Sequence, residues 1–180
     1  SNADIAFVNG GGIRKQIEAG DITLDDIYSV HPFGNTMCVI RVTGQQVLDA
    51  LEWGARAVPS ENGGFLQVSG LTYEIHTGVA SSAEKDENGM FTRVSGEYRV
   101  KNVMVGGQPL ELDKTYTLAS HNYMLLGNGD GYTMFDGCEV LGEDMMVDNQ
   151  VLITYITTTL GGVVGEQYAN PYGDGRIVAV

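Results

Sequence analysis

The stretch that constrains this chain most runs from His121 to Phe135, HNYMLLGNGDGYTMF, where an alternating run that reads as a strand breaks into a glycine-rich loop. Gly127, Gly129 and Gly131 surround Asn128 and Asp130, so the backbone is free to take positive φ and to approach a ligand with no Cβ atoms in the way. Tyr123 and Tyr132 flank the loop. A planar ring beside a carboxylate on a glycine turn suits a ligand that has a flat face and adjacent hydroxyls, as a nucleoside has. On these residues alone, a tight surface turn whose tyrosines belong to the core is the plainer reading.

Such a loop needs a scaffold, and 180 residues suffice for one domain, or for two small halves sharing a core. The net charge of -13, with no lysine or arginine run to offset it, repels a polyanion and excludes nucleic acid as a partner. A small anion held by a few local arginines stays compatible with it. No apolar run approaches the ~20 residues that a bilayer-spanning helix needs. Ser1-Asn2-Ala3 reads as the remnant of an expression tag, because Asp4-Ile5-Ala6-Phe7-Val8 directly after it already has the form of a buried strand. Residues 4–180 are therefore expected to form the domain and to begin part-way along a longer protein. Cys38 and Cys138 are too few for a disulfide framework and are expected to be structural thiols. His31, His76 and His121 are scattered, and no CxxC, HxH or HExxH spacing occurs, so the residues encode no metal chemistry of their own.

In chain order, the first strand runs into Asn9-Gly10-Gly11-Gly12-Ile13-Arg14, a close-approach loop followed by a planar, permanently charged fork. It lacks the GxGxxG and GxxxxGK[ST] spacings, and a plain glycine turn with a surface arginine accounts for it as well. Thr23 and Asp26 have capping-box spacing and predict a short helix ending near Val30. His31-Pro32-Phe33-Gly34-Asn35 then puts Phe33 in a turn, as an exposed stacking face or, by the local residues, as a plug that closes the core. His31 is expected to satisfy a local hydrogen bond. Thr36–Val42 alternates as a strand, and Thr43 with Gln46 forms a second capping box. The helix it opens carries Val47, Leu48, Leu51 and Ala55 on one face, with Trp53 off that face over a sheet edge or a partner domain.

Residues 65–75 alternate over two strand lengths with Gly70 as a bulge, and 79–95 form a polar surface hairpin. Glu97–Val105 and Leu112–Ser120 predict an antiparallel hairpin about Gly106-Gly107, its second strand running into the glycine loop. Asp148 is expected to cap a helix with Val151, Leu152, Tyr155, Ile156 and Leu160 on one stripe, ended by Gly161-Gly162. A turn and a terminal strand occupy 173–180. The class is α+β, a mixed sheet with hairpins and packed helices.

NGGGIR at 9–14, HPFGNT at 31–36, GGFLQVSGL at 63–71 and NYMLLGNGDGYTMF at 122–135 occur in one order across nearly the whole chain. In that order and spacing the chain resembles the carboxy-terminal, substrate-binding domain of the 5'-nucleotidase family. The resemblance implies an exported enzyme, secreted, cell-wall-associated or periplasmic. In it an amino-terminal metallophosphatase domain with a pair of divalent metal ions hydrolyses nucleoside phosphates, and this domain grips the nucleoside.

By motif, Asn9, Gly12 and Arg14 match the loop that contacts the ribose and its neighbouring groups. Phe33 matches one of two aromatics that sandwich the base, and Asp130 the carboxylate that accepts from ribose hydroxyls. Family members often carry the second aromatic six residues before that Asp, where this chain has Met124. Tyr123, one residue earlier, is expected to supply the ring, with Met124 as the other candidate. Stacking contributes roughly 1–3 kcal/mol per base and tolerates different bases, which implies broad nucleotide use.

The metal ligands of such an enzyme, and a further nucleoside-binding arginine, would lie before Asp4. The fragment is therefore expected to carry no cofactor and to be inactive by itself. Nucleoside monophosphates lead as substrates, with UDP-sugars, 2',3'-cyclic phosphates and 3'-nucleotides used by relatives. Phe33 and Tyr123 speak against the family's sulfur-oxidising branch. A non-catalytic nucleoside-binding or surface-display module is the reading from a different class.

Overall fold

In the computed structural model, which describes residues 2–170 and 173–180, alternating runs pair into two main sheets, with a short hairpin beside them. Ser1 of the expected tag remnant lies outside the described residues. The elements follow in order as β1 (Ile5–Asn9), α1 (Leu24–Val30), β2 (Met37–Thr43), α2 (Gly44–Ala55), β3 (Leu66–Ser69) and β4 (Leu71–Ile75). Then come β5 (Ala83–Lys85), β6 (Phe91–Val94), β7 (Val100–Val105), β8 (Gln108–Pro109), β9 (Thr115–His121) and α3 (Asn122–Leu125). The chain closes with β10 (Glu139–Gly142), α4 (Asp148–Thr154) and β11 (Ile177–Ala179). The architecture is α+β.

The first sheet has the order β10-β2-β9-β1-β3 and the second β11-β4-β7-β8. Both capping boxes form, Thr23 with Asp26 and Thr43 with Gln46, and they set where α1 and α2 begin. Helix α2 touches β2 and β3 of one sheet, β7 of the other, and β6 of the hairpin. It is therefore enclosed on more than one side, and Trp53 is buried although it lies off the predicted stripe. Its ring meets Phe91 edge-on at 5.7 Å, so the expected surface hairpin contributes an anchor to the core. Buried Glu52 also ties α2 to β7, its carboxylate accepting the Val100 N–H at 2.9 Å.

Several expectations are corrected. The hairpin between Glu97–Val105 and Leu112–Ser120 does not form: β7 turns at Gly106-Gly107 into the two-residue β8, while β9 crosses to the first sheet between β1 and β2. Alternation reports that a segment is a strand and not which strand it joins. Gly70 is a switch between sheets and not a bulge, since β3 and β4 on either side of it belong to different sheets. Helix α4 begins after Val147 at the N-cap, with Asp148 in its first turn, and no residue of α4 is fully buried. Its last turn widens, Leu160 N–H donating to the Tyr155 carbonyl five residues back at 3.0 Å.

Candidate functional site: a cleft at one end of the five-stranded sheet

Strands β1 and β9 are parallel neighbours, and β2 and β3 run antiparallel to them. The loops after β1 and β9 and the loops before β2 and β3 therefore emerge at the same end of the sheet. These four loops are the NGGGIR, HPFGNT, GGF and glycine-rich stretches. Open sheets hold ligands at the carboxyl ends of parallel strands, where loops on a rigid edge converge.

Asn122 fastens two of the loops together. Its Oδ1 accepts from Thr36 N–H at 3.1 Å and Tyr123 N–H at 2.9 Å, and its own N–H donates to the Thr36 carbonyl at 2.8 Å. Gly10 and Gly11 N–H groups donate to the Phe65 and Gly63 carbonyls, both at 2.7 Å, which joins the other two. The result is a cleft of about 350 Å³ lined by Asn9, Gly11, Gly12, Arg14, Phe33, Asn35, Tyr123 and Asp130.

All six residues singled out in the sequence line this one cleft. Phe33 is 60% exposed, which rules out the plug reading, and Arg14 lies 5.9 Å from its ring centroid. Tyr123 faces the cleft, whereas Met124 is fully buried and presents nothing to a ligand. Tyr132 is also fully buried and donates to the Gly64 carbonyl, so one of the two flanking tyrosines belongs to the core and one to the cleft.

Asp130 is the most constrained residue here. Its backbone is left-handed, φ 54° and ψ 16°, a region that Asp tolerates better than most side chains. Four hydrogen bonds hold it. Trp53 Nε1 donates to its carbonyl at 2.9 Å, Asn9 Nδ2 to Oδ2 at 2.6 Å and the Tyr123 hydroxyl to Oδ1 at 3.0 Å, while its own N–H donates to the Tyr123 oxygen at 3.2 Å. Arg56 lies behind the loop, 3.6 Å from the Trp53 ring, where burial lowers its pKa and the nearby Asp130 carboxylate opposes that shift. Burial raises the Tyr123 phenol pKa, and its bond to Asp130 adds to the effect.

Two residues that the sequence reading left out of the site support it from behind. Because Asn9 turns its amide nitrogen to Asp130, its Oδ1 faces His121 Nε2 at 3.0 Å, which makes Nε2 the protonated ring nitrogen. Gly12 is required by the same group: a Cβ there would stand 2.8 Å from Asn9 Oδ1. Trp53 is the second, and its separation of 77 residues from Asp130 leaves no local signal in the sequence. Among the described residues no group of three or more His, Cys, Asp or Glu side chains is arranged to hold a metal ion.

The family described as "5'-nucleotidase, C-terminal domain" matches residues 1–137, and the chain belongs to that family. It is 35% identical over 180 residues to the trifunctional nucleotide phosphoesterase protein YfkN of Bacillus subtilis, covering 100% of this chain and 11% of that protein. It is 33% identical over 156 residues to a 5'-nucleotidase of Vibrio cholerae, covering 87% of this chain and 24% of that protein. Among solved structures it is similar to the 5'-nucleotidase precursor from Thermus thermophilus, with TM-score 0.80 and 32% identity over 99% of this chain and 32% of that one. The Haemophilus influenzae NAD nucleotidase shares the fold, with TM-score 0.72 and 24% identity over 99% of this chain and 30% of that one. The chain thus spans only 11% and 24% of the length of the two curated relatives.

Proposed function

We propose that this chain is the nucleoside-gripping domain of an exported phosphoesterase of the 5'-nucleotidase type, which works on nucleoside monophosphates. The base stacks between Phe33 and Tyr123, the ribose hydroxyls donate to Asp130, and Asn9, Gly12 and Arg14 line the sugar and its anionic neighbourhood. Hydrolysis belongs to a metal-binding domain elsewhere in the full-length protein. The observation that carries the reading is the convergence of two exposed rings and one carboxylate, from two loops far apart in sequence, on a single cleft of about 350 Å³. Stacking supplies sequence-tolerant affinity and the carboxylate supplies orientation, which is the division of labour that a nucleoside needs.

Titration of adenosine and AMP into the purified chain tests it, by heat release and tyrosine fluorescence, with Phe33→Ala and Asp130→Asn beside the parent. Asparagine is chosen because it tolerates the left-handed backbone at 130. Binding to the parent that weakens about tenfold in each variant supports the clamp. A folded parent that binds neither ligand removes the nucleoside reading from this chain.

A further inference from the structure

Asp130 and Tyr123 are connected more closely than two independent contacts to one ligand would be. A carboxylate offers about four lone-pair sites, two on each oxygen. Here Oδ1 has one taken by the Tyr123 hydroxyl at 3.0 Å, and Oδ2 has one taken by Asn9 Nδ2 at 2.6 Å. Each oxygen therefore keeps one acceptor site, and the carboxylate cannot rotate without breaking one of the two bonds. The backbone beneath it is fixed as well, by Trp53 on the carbonyl and by the Tyr123 oxygen on the N–H. Two acceptor sites side by side on a locked carboxylate match two adjacent hydroxyls. The Tyr123 hydroxyl itself donates once and accepts once within the protein, so it acts on a ligand through Asp130.

We propose that the Tyr123 hydroxyl is a specificity-determining positioning group: by locking the Asp130 carboxylate it makes this cleft select ribonucleosides, with their vicinal diol, over 2'-deoxyribonucleosides. This rests on the nucleoside reading above. The ring face and the hydroxyl have separable jobs, the face for the base and the hydroxyl for the sugar. Gly129 serves both, because a Cβ there would collide with the Tyr123 ring and push the hydroxyl off Asp130.

The test is titration of adenosine and 2'-deoxyadenosine into the chain, comparing the parent with Tyr123→Phe, Tyr123→Ala and Gly129→Ala, each checked for an unchanged thermal midpoint. The parent is expected to prefer adenosine. Tyr123→Phe weakens adenosine about tenfold while 2'-deoxyadenosine changes less than about twofold, the loss of one hydrogen-bonded arrangement. Tyr123→Ala and Gly129→Ala weaken both ligands and also lose the preference. Equal weakening of both ligands by Tyr123→Phe, or a preference that survives it, overturns the proposal. So does a parent that binds both ligands equally, which leaves the nucleoside reading standing. A folded parent that binds neither overturns the nucleoside reading and this proposal together.

Discussion

The buried imidazole of His121 carries a consequence for pH at the residue scale. Burial holds its pKa below the ordinary value of 6.5, with His31 adding to the effect and Asp148 and Asp130 opposing it. A group whose folded pKa is depressed takes up its proton first in the unfolded chain, so its contribution to stability is complete above the unfolded value and is lost as pH falls through the folded one. The expected outcome is a urea midpoint that declines below about pH 6.5 more steeply in the parent than in His121→Gln, which keeps a donor for Asn9 and does not titrate. Parallel profiles for the two proteins would assign the acid sensitivity to other groups.

At the scale of elements, α2 links the core to the cleft. Trp53 is held in that core by Phe91 and Arg56, and it spends its single polar atom on the Asp130 carbonyl. Substituting Trp53→Phe keeps most of the apolar volume and removes that donor. Stability is expected to fall by about 1–3 kcal/mol, the cost of an unpaired buried carbonyl plus a smaller ring. Adenosine affinity is expected to fall with it, because the loop carrying Asp130 loses its anchor. Thermal denaturation and a nucleoside titration on the same samples check both. Lost stability with full affinity would show that the loop holds itself.

For the whole molecule, the decisive point is where one chain feeds two sheets. Gly70 stands between β3 and β4 with φ 81°, and a Cβ there would collide with the Asp4 carbonyl oxygen. Gly70→Ala is therefore expected to lower stability by about 2 kcal/mol or more, through both strain and overlap. Chemical denaturation measures it, and a change under about 0.5 kcal/mol would mean that the switch is freely adjustable. The same arrangement explains the cleft. Parallel β1 and β9 lie side by side in the first sheet, so the loops that leave them after Asn9 and His121, 112 residues apart, begin from neighbouring strands.

Local order was readable in the sequence because its causes are local. Capping boxes at Thr23 and Thr43, alternation along β1, β2 and β9, and glycines ending the last helix each depend on residues within a few positions of one another. The six cleft residues were found through motifs in register, which carry information that composition does not. Tertiary structure decided what distance hides: that β9 leaves β7 for the first sheet, that Trp53 turns inward to hold Asp130, and that Tyr123 faces the cleft while Met124 is buried. Those outcomes depend on which surfaces meet once the chain is compact, and burial energy is paired across the fold, not along the sequence.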